Sequence, residues 1–291
     1  MAAISAADVK ALREKTGAGM MECKNALSAS DGDFAKAEKL LKEKGLAAVE
    51  KRADRATNEG KIFVKTKDGV SVLLELASET DFVARNPEFI ALGGVIAGTV
   101  LEKGYTESDL SPDGKVFGEL NGLVTALAVK IRENMSLKRV KVIKAASNEY
   151  LSQYIHGDGN IGVVVKAAAD KGGVFEKDEV KEFIFTLALH IAAFNPMALD
   201  RNSIDPAYLK EQEDIFRKQM EQDEKIKGKP ANVIDGILKG KINKYLSDIC
   251  LLEQGYVKDE KIPVAKALEN LGKQAGAVIT VKEFAYFKVG N

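Results

Sequence analysis

The sequence is poor in the residues on which covalent and metal chemistry most often depend. Its 291 residues include two cysteines, Cys23 and Cys250, two histidines, His156 and His190, and no tryptophan. Two distant cysteines without a CxxC spacing do not form a disulfide framework, and we expect two part-buried thiols in a reducing compartment. A metal site would need a histidine plus several carboxylates at a recognised spacing, which the sequence does not show. We therefore predict no metal, no cofactor and no covalent catalysis.

Net charge and long apolar runs are also lacking. Lys and Arg number 43 and Asp and Glu number 43, so the formal charge is zero. A neutral chain has no general attraction to nucleic acid or to an anionic membrane. No stretch approaches the roughly 18 apolar residues that span a bilayer, and residues 1–5 lack the features of a secretory signal. We expect a cytoplasmic protein with neither a membrane nor a direct nucleic-acid partner.

One basic stretch leaves a second interpretation open. Its cations, opposed only by Glu133, are Lys130, Arg132, Lys138, Arg139, Lys141 and Lys144. Such a run is most often the solvated face of a helix and a strand. The alternative is a local RNA-binding footprint.

Residues 157–162 (GDGNIG) match the GxGxxG pattern of dinucleotide-binding folds. That fingerprint requires the glycines to open a helix whose N-terminus holds the pyrophosphate. Here the β-branched run Val163, Val164 and Val165 follows and predicts a strand instead. No GxxxxGK[ST] loop is present either, so the sequence predicts no nucleotide site of these types.

Residues 1–45 predict a small three-helix bundle that resembles a ubiquitin-associated domain. Ser5 and Asp8 have the spacing of a capping box, and residues 16–19 (TGAG) end the first helix. A second helix begins near Met20, and a third begins after the turn at residues 31–33 and is expected to end at Gly45. A unit of this size suits a docking module. Residues 46–59 are charged and predict a helical or flexible linker.

Residues 60–147 predict the first half of an α+β core with antiparallel sheets. Apolar and polar residues alternate on both sides of Asp68-Gly69, which predicts a β-hairpin, and Asn86-Pro87 fits the start of a helix. A further helix and a strand follow. The order recurs loosely in residues 148–204, and a C-terminal strand in 255–291 is expected to return to this second sheet. The two halves are interpreted as duplicated units.

Residues 205–254 predict an antiparallel helical hairpin. Asp205-Pro206 opens its first helix, and residues 228–230 (GKP) are expected to turn the chain into the second. Residues 211–227 are largely polar, which suits a projecting arm better than a core helix.

The segment TDFVAR, residues 80–85, places an acid and an aromatic residue between a strand and a helix. Two interpretations remain open from the spacing. Phe82 either plugs the local core while Asp81 caps the helix, or it keeps its apolar surface for a partner's pocket.

The chain resembles the elongation factor Ts family, the nucleotide exchange factors of the GTPase elongation factor Tu. The resemblance is carried by residues 12–27 (LREKTGAGMMECKNAL) and 80–85, and it extends through residues 130–134 (KIREN), 189–193 (LHIAA) and 251–254 (LLEQ). Arg132 stands where the related segment usually has glycine. Asp158 and Asn160 also differ from the commoner residues of the turn that contains His156.

The resemblance implies a role for specific residues. Thr80, Asp81, Phe82 and Val83 would form a wedge that enters elongation factor Tu near its Mg²⁺ site. Docking would involve Arg13, Met20, Met21, Lys24, His156 and Gly157, with a further contact from the helical arm. Packing inside the bundle is the alternative for Met20 and Met21, although adjacent helical residues cannot both face inward. A non-catalytic adaptor and an RNA-binding accessory protein are the alternative functions. His190 is interpreted as a packed helix histidine.

Overall fold

The structure is a computed structural model that describes residues 4–223 and 229–291. In these residues the helices are α1 Ala6–Thr16, α2 Met20–Ala29, α3 Phe34–Glu50, α4 Asp81–Ala84, α5 Pro87–Lys103, α6 Lys115–Ile131, α7 Asp178–Phe194, α8 Pro206–Glu221, α9 Ala231–Ile249 and α10 Val264–Ala275. The strands are β1 Glu59–Lys67, β2 Val70–Ser78, β3 Met135–Lys144, β4 Glu149–His156, β5 Ile161–Ala169, β6 Gly255–Tyr256, β7 Asp259–Pro263 and β8 Ile279–Lys288. This confirms a mixed α+β fold.

Helices α1–α3 form the predicted bundle. Ser5 and Asp8 make the reciprocal bonds of a capping box at α1, and Gly17 ends that helix with a φ of 70°. The core of the bundle consists of Val9, Leu12, Cys23, Ala26, Leu27, Ala37 and Leu41. The three amphipathic helices therefore bury one shared apolar centre, as their spacing predicts.

The prediction that α3 ends at Gly45 is wrong, because the helix continues to Glu50. A Cβ at Gly45 would lie 2.4 Å from Cγ1 of Val129 on α6. Gly45 therefore serves the close packing of α3 on α6 and not a helix end. Part of the predicted linker is accordingly helical and packs on the core, and turns from residue 51 onward lead into β1.

The core consists of two three-stranded antiparallel sheets that pack face to face between helices. The strand orders are β1-β2-β3 and β4-β5-β8. Alternate residues of β2 face opposite layers: Leu74 packs with α5 and α6, whereas Leu73 packs in the cluster between the sheets. A Cβ at Gly162 on β5 would lie 2.4 Å from Cγ2 of Ile62, so glycine permits the close approach of the two sheets there. The core thus has four layers in the order helices, sheet, sheet, helices.

The two halves share the same arrangement, which agrees with the predicted duplication. Each has a hairpin, helices on its outer face and a third strand beside the second. In both halves a register shift interrupts the pairing of the central strand with that third strand, at Glu75/Leu76 and at Lys166/Ala167. The third strand of the second half is β8, so the C-terminal strand returns to the sheet as predicted. The small β6-β7 sheet is an element that the sequence pattern did not predict.

Helices α8 and α9 form the helical arm. Asp205 caps α8 and Pro206 lies in its first turn, as predicted. The Tyr208 and Tyr245 hydroxyl oxygens are 2.5 Å apart near the root, and Met220 packs with Leu238 farther along, so the helices run antiparallel. Gly228 of the predicted turn, and residues 224–227 before it, lie outside the described residues.

Two polar clusters hold the root of the arm to the second half of the core. The Arg201 guanidinium donates to both carboxylate oxygens of Glu253, at 2.5 and 2.6 Å. His190 is buried on α7, as its interpretation as a packed histidine requires, and its Nε2 donates to Oε1 of Gln254 over 2.9 Å. Burial lowers the pKa of His190. Cys23 and Cys250 are both fully buried, more than the part-burial expected.

No helix in the part of the chain that the structure describes is long and apolar enough to cross a membrane.

Candidate partner-binding site

The short helix α4 presents the predicted wedge. Thr80 is its N-cap, and the Thr80 hydroxyl lies 3.4 Å from the backbone nitrogen of Val83, which donates to it. The same hydroxyl donates to the Glu133 carboxylate at 3.0 and 3.1 Å. The Ser78 hydroxyl donates to the backbone oxygen of Thr80 over 2.9 Å. These bonds fix the direction in which a helix of only four residues leaves the sheet.

Phe82 points away from the protein. Its side chain is 80% exposed, whereas Val83 and Ala84, which follow it on the same helix, are buried. The interpretation of Phe82 as a core plug is therefore wrong. The alternative in which Asp81 caps the helix is also wrong, because Thr80 is the cap and Asp81 instead pairs with Arg85 at 3.2 Å. The buried neighbours anchor α4 and leave the aromatic ring in solvent.

The turn between β4 and β5 lies at the same end of the core as α4. Gly157 and Gly159 have positive φ angles of 59° and 93°, so residues 157–162 form a hairpin turn and not a nucleotide-binding loop. The backbone nitrogen of Ile62 donates to the backbone oxygen of Gly159 over 2.7 Å. The Lys61 ammonium pairs with the Asp158 carboxylate at 2.8 Å. Lys61 itself is opposite Leu76 in the β1-β2 register, close to where β2 leads into α4.

Charge links this turn to the wedge. The hydrogen bond from Lys61 lowers the pKa of Asp158 most, and the positive charge of Arg85 lowers it further. Arg85 belongs to the wedge segment and also pairs with Asp81. The wedge and the turn are therefore electrostatic neighbours. Asp158 is held by this chain's own Lys61.

His156 is exposed at the end of β4, as expected for a hairpin tip. Its Nδ1 lies 2.9 Å from the Tyr154 hydroxyl, and Tyr154 contacts Phe185 of α7 edge to face, with ring centroids 5.9 Å apart. The Phe185 side chain is itself substantially exposed. His156 thus extends a small aromatic surface beside the turn, and Gly157 next to it is also exposed.

The bundle residues predicted to dock are all exposed. Met20 and Met21 are 44% and 65% exposed in the first turn of α2, so their assignment to the bundle core is wrong. Lys24 lies one turn later on the same helix, and Arg13 lies in the last turn of α1. Within the described residues neither cation has a carboxylate partner. The bundle thus carries apolar and basic groups that its own folding does not use.

Most of the basic stretch at residues 130–144 is engaged within the chain. Lys130 pairs with Glu88 at 2.5 Å, Arg139 with Glu75 at 2.8 Å and Lys141 with Glu107 at 2.7 Å, while Arg132 pairs with Glu22. Cations neutralised in this way make a weak phosphate-binding surface. The ion pairs therefore favour the interpretation of residues 130–144 as the solvated face of a helix and a strand over that of an RNA-binding footprint.

Sequence reasoning missed Glu133, Asp158 and Lys61 as residues that shape this site. Each acts through a partner at least 53 residues away in the chain. The only available signal for Glu133 was its place in the KIREN segment. Among the residues that the structure describes, no group of three or more His, Cys, Asp or Glu could hold a metal ion.

An aromatic side chain exposed on a short helix, beside a charged turn and a second exposed surface on the bundle, is an arrangement typical of proteins that bind another macromolecule. The elongation factor TS family model matches residues 79–291, from the residue before the wedge onward. The chain is 50% identical over 287 residues to elongation factor Ts of Treponema denticola, covering 99% of this chain and 98% of that protein. It is 42% identical over 298 residues to elongation factor Ts of Treponema pallidum (strain Nichols), with 99% of each chain covered. It is 40% identical over 291 residues to that of Borreliella burgdorferi, with 100% of each covered. The chain belongs to the elongation factor Ts family, and its function is that of a translation elongation factor.

Proposed function

We propose that this protein is a guanine nucleotide exchange factor that binds elongation factor Tu in its GDP-bound and nucleotide-free forms. It promotes GDP release and leaves an empty GTPase for GTP to occupy, without forming or breaking covalent bonds. The exposure of Phe82 carries the proposal, since 80% of this side chain is left unused by the protein's own fold. The family membership supplies the class of partner.

The thermodynamic basis is linkage. A protein that binds the nucleotide-free GTPase more tightly than the GDP form must weaken GDP binding by the same factor. Mg²⁺ bridges the nucleotide phosphates to a GTPase, so an aromatic wedge that enters beside that ion loosens metal and nucleotide together. Phe82 is the wedge, Asp81 and Thr80 hold its helix in place, and Val83 anchors it to the core. This chain itself needs no metal or cofactor for that role.

The remaining exposed residues divide into two further contacts. Arg13, Met20, Met21 and Lys24 dock the bundle on elongation factor Tu, and the Met side chains supply adaptable apolar contact. His156 and Gly157 bring the second half of the core to the same partner, and the α8-α9 arm adds another contact. The protein acts in the cytoplasm.

The decisive experiment measures release of fluorescent GDP from elongation factor Tu after a chase with unlabelled GDP. Acceleration by substoichiometric amounts of this chain supports exchange, because a catalyst turns over. Tight binding without acceleration would show an adaptor. Binding to RNA that competes with elongation factor Tu would show the RNA-binding accessory function. The Phe82→Ala protein is the matched control, because it keeps the bundle and the arm.

A further inference from the structure

Three consecutive residues between α6 and β3, Arg132, Glu133 and Asn134, contact three separate parts of the chain. We propose that these residues, here named the α6-β3 corner, position the bundle and the wedge helix relative to each other. The structural part of this inference stands on the contacts alone. Its consequence for activity rests on the proposed function.

Arg132 occupies a backbone conformation that arginine rarely adopts. It is the C-cap of α6 with φ 70° and ψ 26°, in the left-handed region that glycine enters without steric cost. A large side chain at such a position is unfavourable unless it makes a compensating contact. The guanidinium makes one by donating from Nη2 to Oε2 of Glu22. The strained backbone therefore accompanies a contact that glycine could not make.

Glu22 belongs to the helix that carries the docking surface. It occupies the third position of α2, directly after Met21, and Oε2 also accepts the backbone N–H of Gly19 over 2.9 Å. The Gly19 bond lowers the pKa of Glu22 most, and Arg132 lowers it further. One carboxylate oxygen thus joins the start of α2 to the core. Arg132 therefore positions the proposed docking residues only indirectly, by holding the first turn of α2.

Glu133 acts on the wedge in the same way. Both of its carboxylate oxygens accept the Thr80 hydroxyl, at 3.1 and 3.0 Å, and Thr80 is the N-cap of α4. Asn134 contacts the segment between α3 and β1. Its Nδ2 donates to the backbone oxygens of Ala53 and Arg55 at 3.1 and 2.8 Å. The backbone nitrogen of Asn134 donates to the carboxylate of Glu79, the residue before Thr80, over 2.6 Å.

Other contacts already attach the bundle to the core. Gly45 of α3 packs against Val129, and Gly17 lies against the Lys130 side chain. Arg132 and Glu22 are each about half exposed, and exposed ion pairs are weak. The pair therefore sets the orientation of α2 and does not carry the whole attachment. Its loss should produce a few-fold effect and not dissociation.

The test uses the full-length protein with spin labels at Asn25→Cys on α2 and Lys103→Cys on α5, both exposed sites outside the proposed docking residues. The native thiols at Cys23 and Cys250 are buried and react slowly. Arg132→Gly should fold well, since glycine suits the backbone, and should broaden the label-to-label distance distribution. In the exchange assay it should raise the half-saturating concentration two- to fivefold with an unchanged maximal rate. Lys141→Ala, which breaks the pair with Glu107 elsewhere in the same half, is the control and should change neither quantity.

Glu22→Gln keeps an acceptor for Gly19 and removes the charge, so it should reproduce the Arg132→Gly effects. The double variant should be no worse than either single one, because both changes break one contact. Glu133→Ala should instead lower the maximal exchange rate, on the order of tenfold, with an unchanged half-saturating concentration. It should also speed hydrogen exchange of the amides in residues 81–85. Glu133→Gln, which can still accept the Thr80 hydroxyl, should restore much of both.

Additive effects of Arg132→Gly and Glu22→Gln, or a distance distribution as narrow as that of Lys141→Ala, would overturn the role of Arg132. Unchanged amide exchange in Glu133→Ala, or a change in half-saturation in place of maximal rate, would overturn the role of Glu133. If the unmodified protein does not accelerate GDP release, the proposed function fails. The distance and amide measurements then still decide whether the corner positions the two elements.

Discussion

Replacing Phe82 by alanine separates a wedge from a structural residue. The side chain is 80% exposed, so its truncation removes little buried surface and should change the free energy of unfolding by no more than about 0.5 kcal/mol. For a chain of this size that corresponds to a melting-temperature shift of about 1–2 °C. Loss of an aromatic anchor from a partner's pocket costs on the order of 2 kcal/mol or more. Exchange should therefore weaken about 30-fold while the fold is retained.

Phe89 provides the matched comparison for the same chemical change. It lies seven residues later, on α5, and its side chain is fully buried in the core. Phe89→Ala should cost about 3–5 kcal/mol of stability, because it leaves a cavity. Thermal unfolding and fluorescent GDP release are measured on both variants. If Phe82→Ala lost several degrees of melting temperature yet kept full exchange activity, the wedge assignment would be refuted.

Three further predictions concern docking, pH and magnesium. Met20→Ser with Met21→Ser should raise the half-saturating concentration in the exchange assay without lowering the maximal rate, because both side chains are exposed on the bundle and away from the wedge. The free energy of unfolding should be independent of His190 above pH about 6.5 and fall as the pH drops toward its lowered folded pKa, since burial favours the neutral ring. His190→Gln should flatten that dependence, which has a maximum slope of about 1.4 kcal/mol per pH unit, in denaturant titrations from pH 7.5 to 5.5. Removing Mg²⁺ with EDTA should speed GDP release from elongation factor Tu alone, and the barrier reductions from EDTA and from this protein should be clearly sub-additive.

Each of these has a control within the chain. Val95→Ser, at an exposed apolar position on α5, should leave the half-saturating concentration unchanged. An equal rise in that concentration for Val95→Ser would contradict the docking role of Met20 and Met21. His156→Gln makes the same substitution at the exposed end of β4 and leaves His190 in place, so a flattened profile in that variant would contradict the assignment to His190. Strictly additive effects of EDTA and the protein would place its action away from the metal. Asp81→Ala should retain more activity than Phe82→Ala, since an exposed charge contributes less to binding than an aromatic ring that the partner's pocket buries.

Local signals predicted the starts and turns of elements well, because those signals act over a few residues. The capping box of Ser5 and Asp8, the Asp68-Gly69 hairpin turn and the Asn86-Pro87 helix start all have the expected geometry. Gly45 shows where such signals fail. A glycine after an apolar helical run predicts a helix end, but close packing on Val129 retains it inside the helix.

The sequence by itself determined the order of the helices and strands apart from α4 and the β6-β7 sheet, the alternation that buries one face of each hairpin, and the motifs of the elongation factor Ts family. These follow from periodicity and from short contiguous segments. Only the tertiary structure decided that Phe82 is exposed and that Arg132 and Glu133 reach the starts of α2 and α4. Arg132 meets Glu22 across 110 residues and Glu133 meets Thr80 across 53. Contacts at such separations depend on how sheets and helices pack, and nothing in the local sequence around either residue specifies its partner.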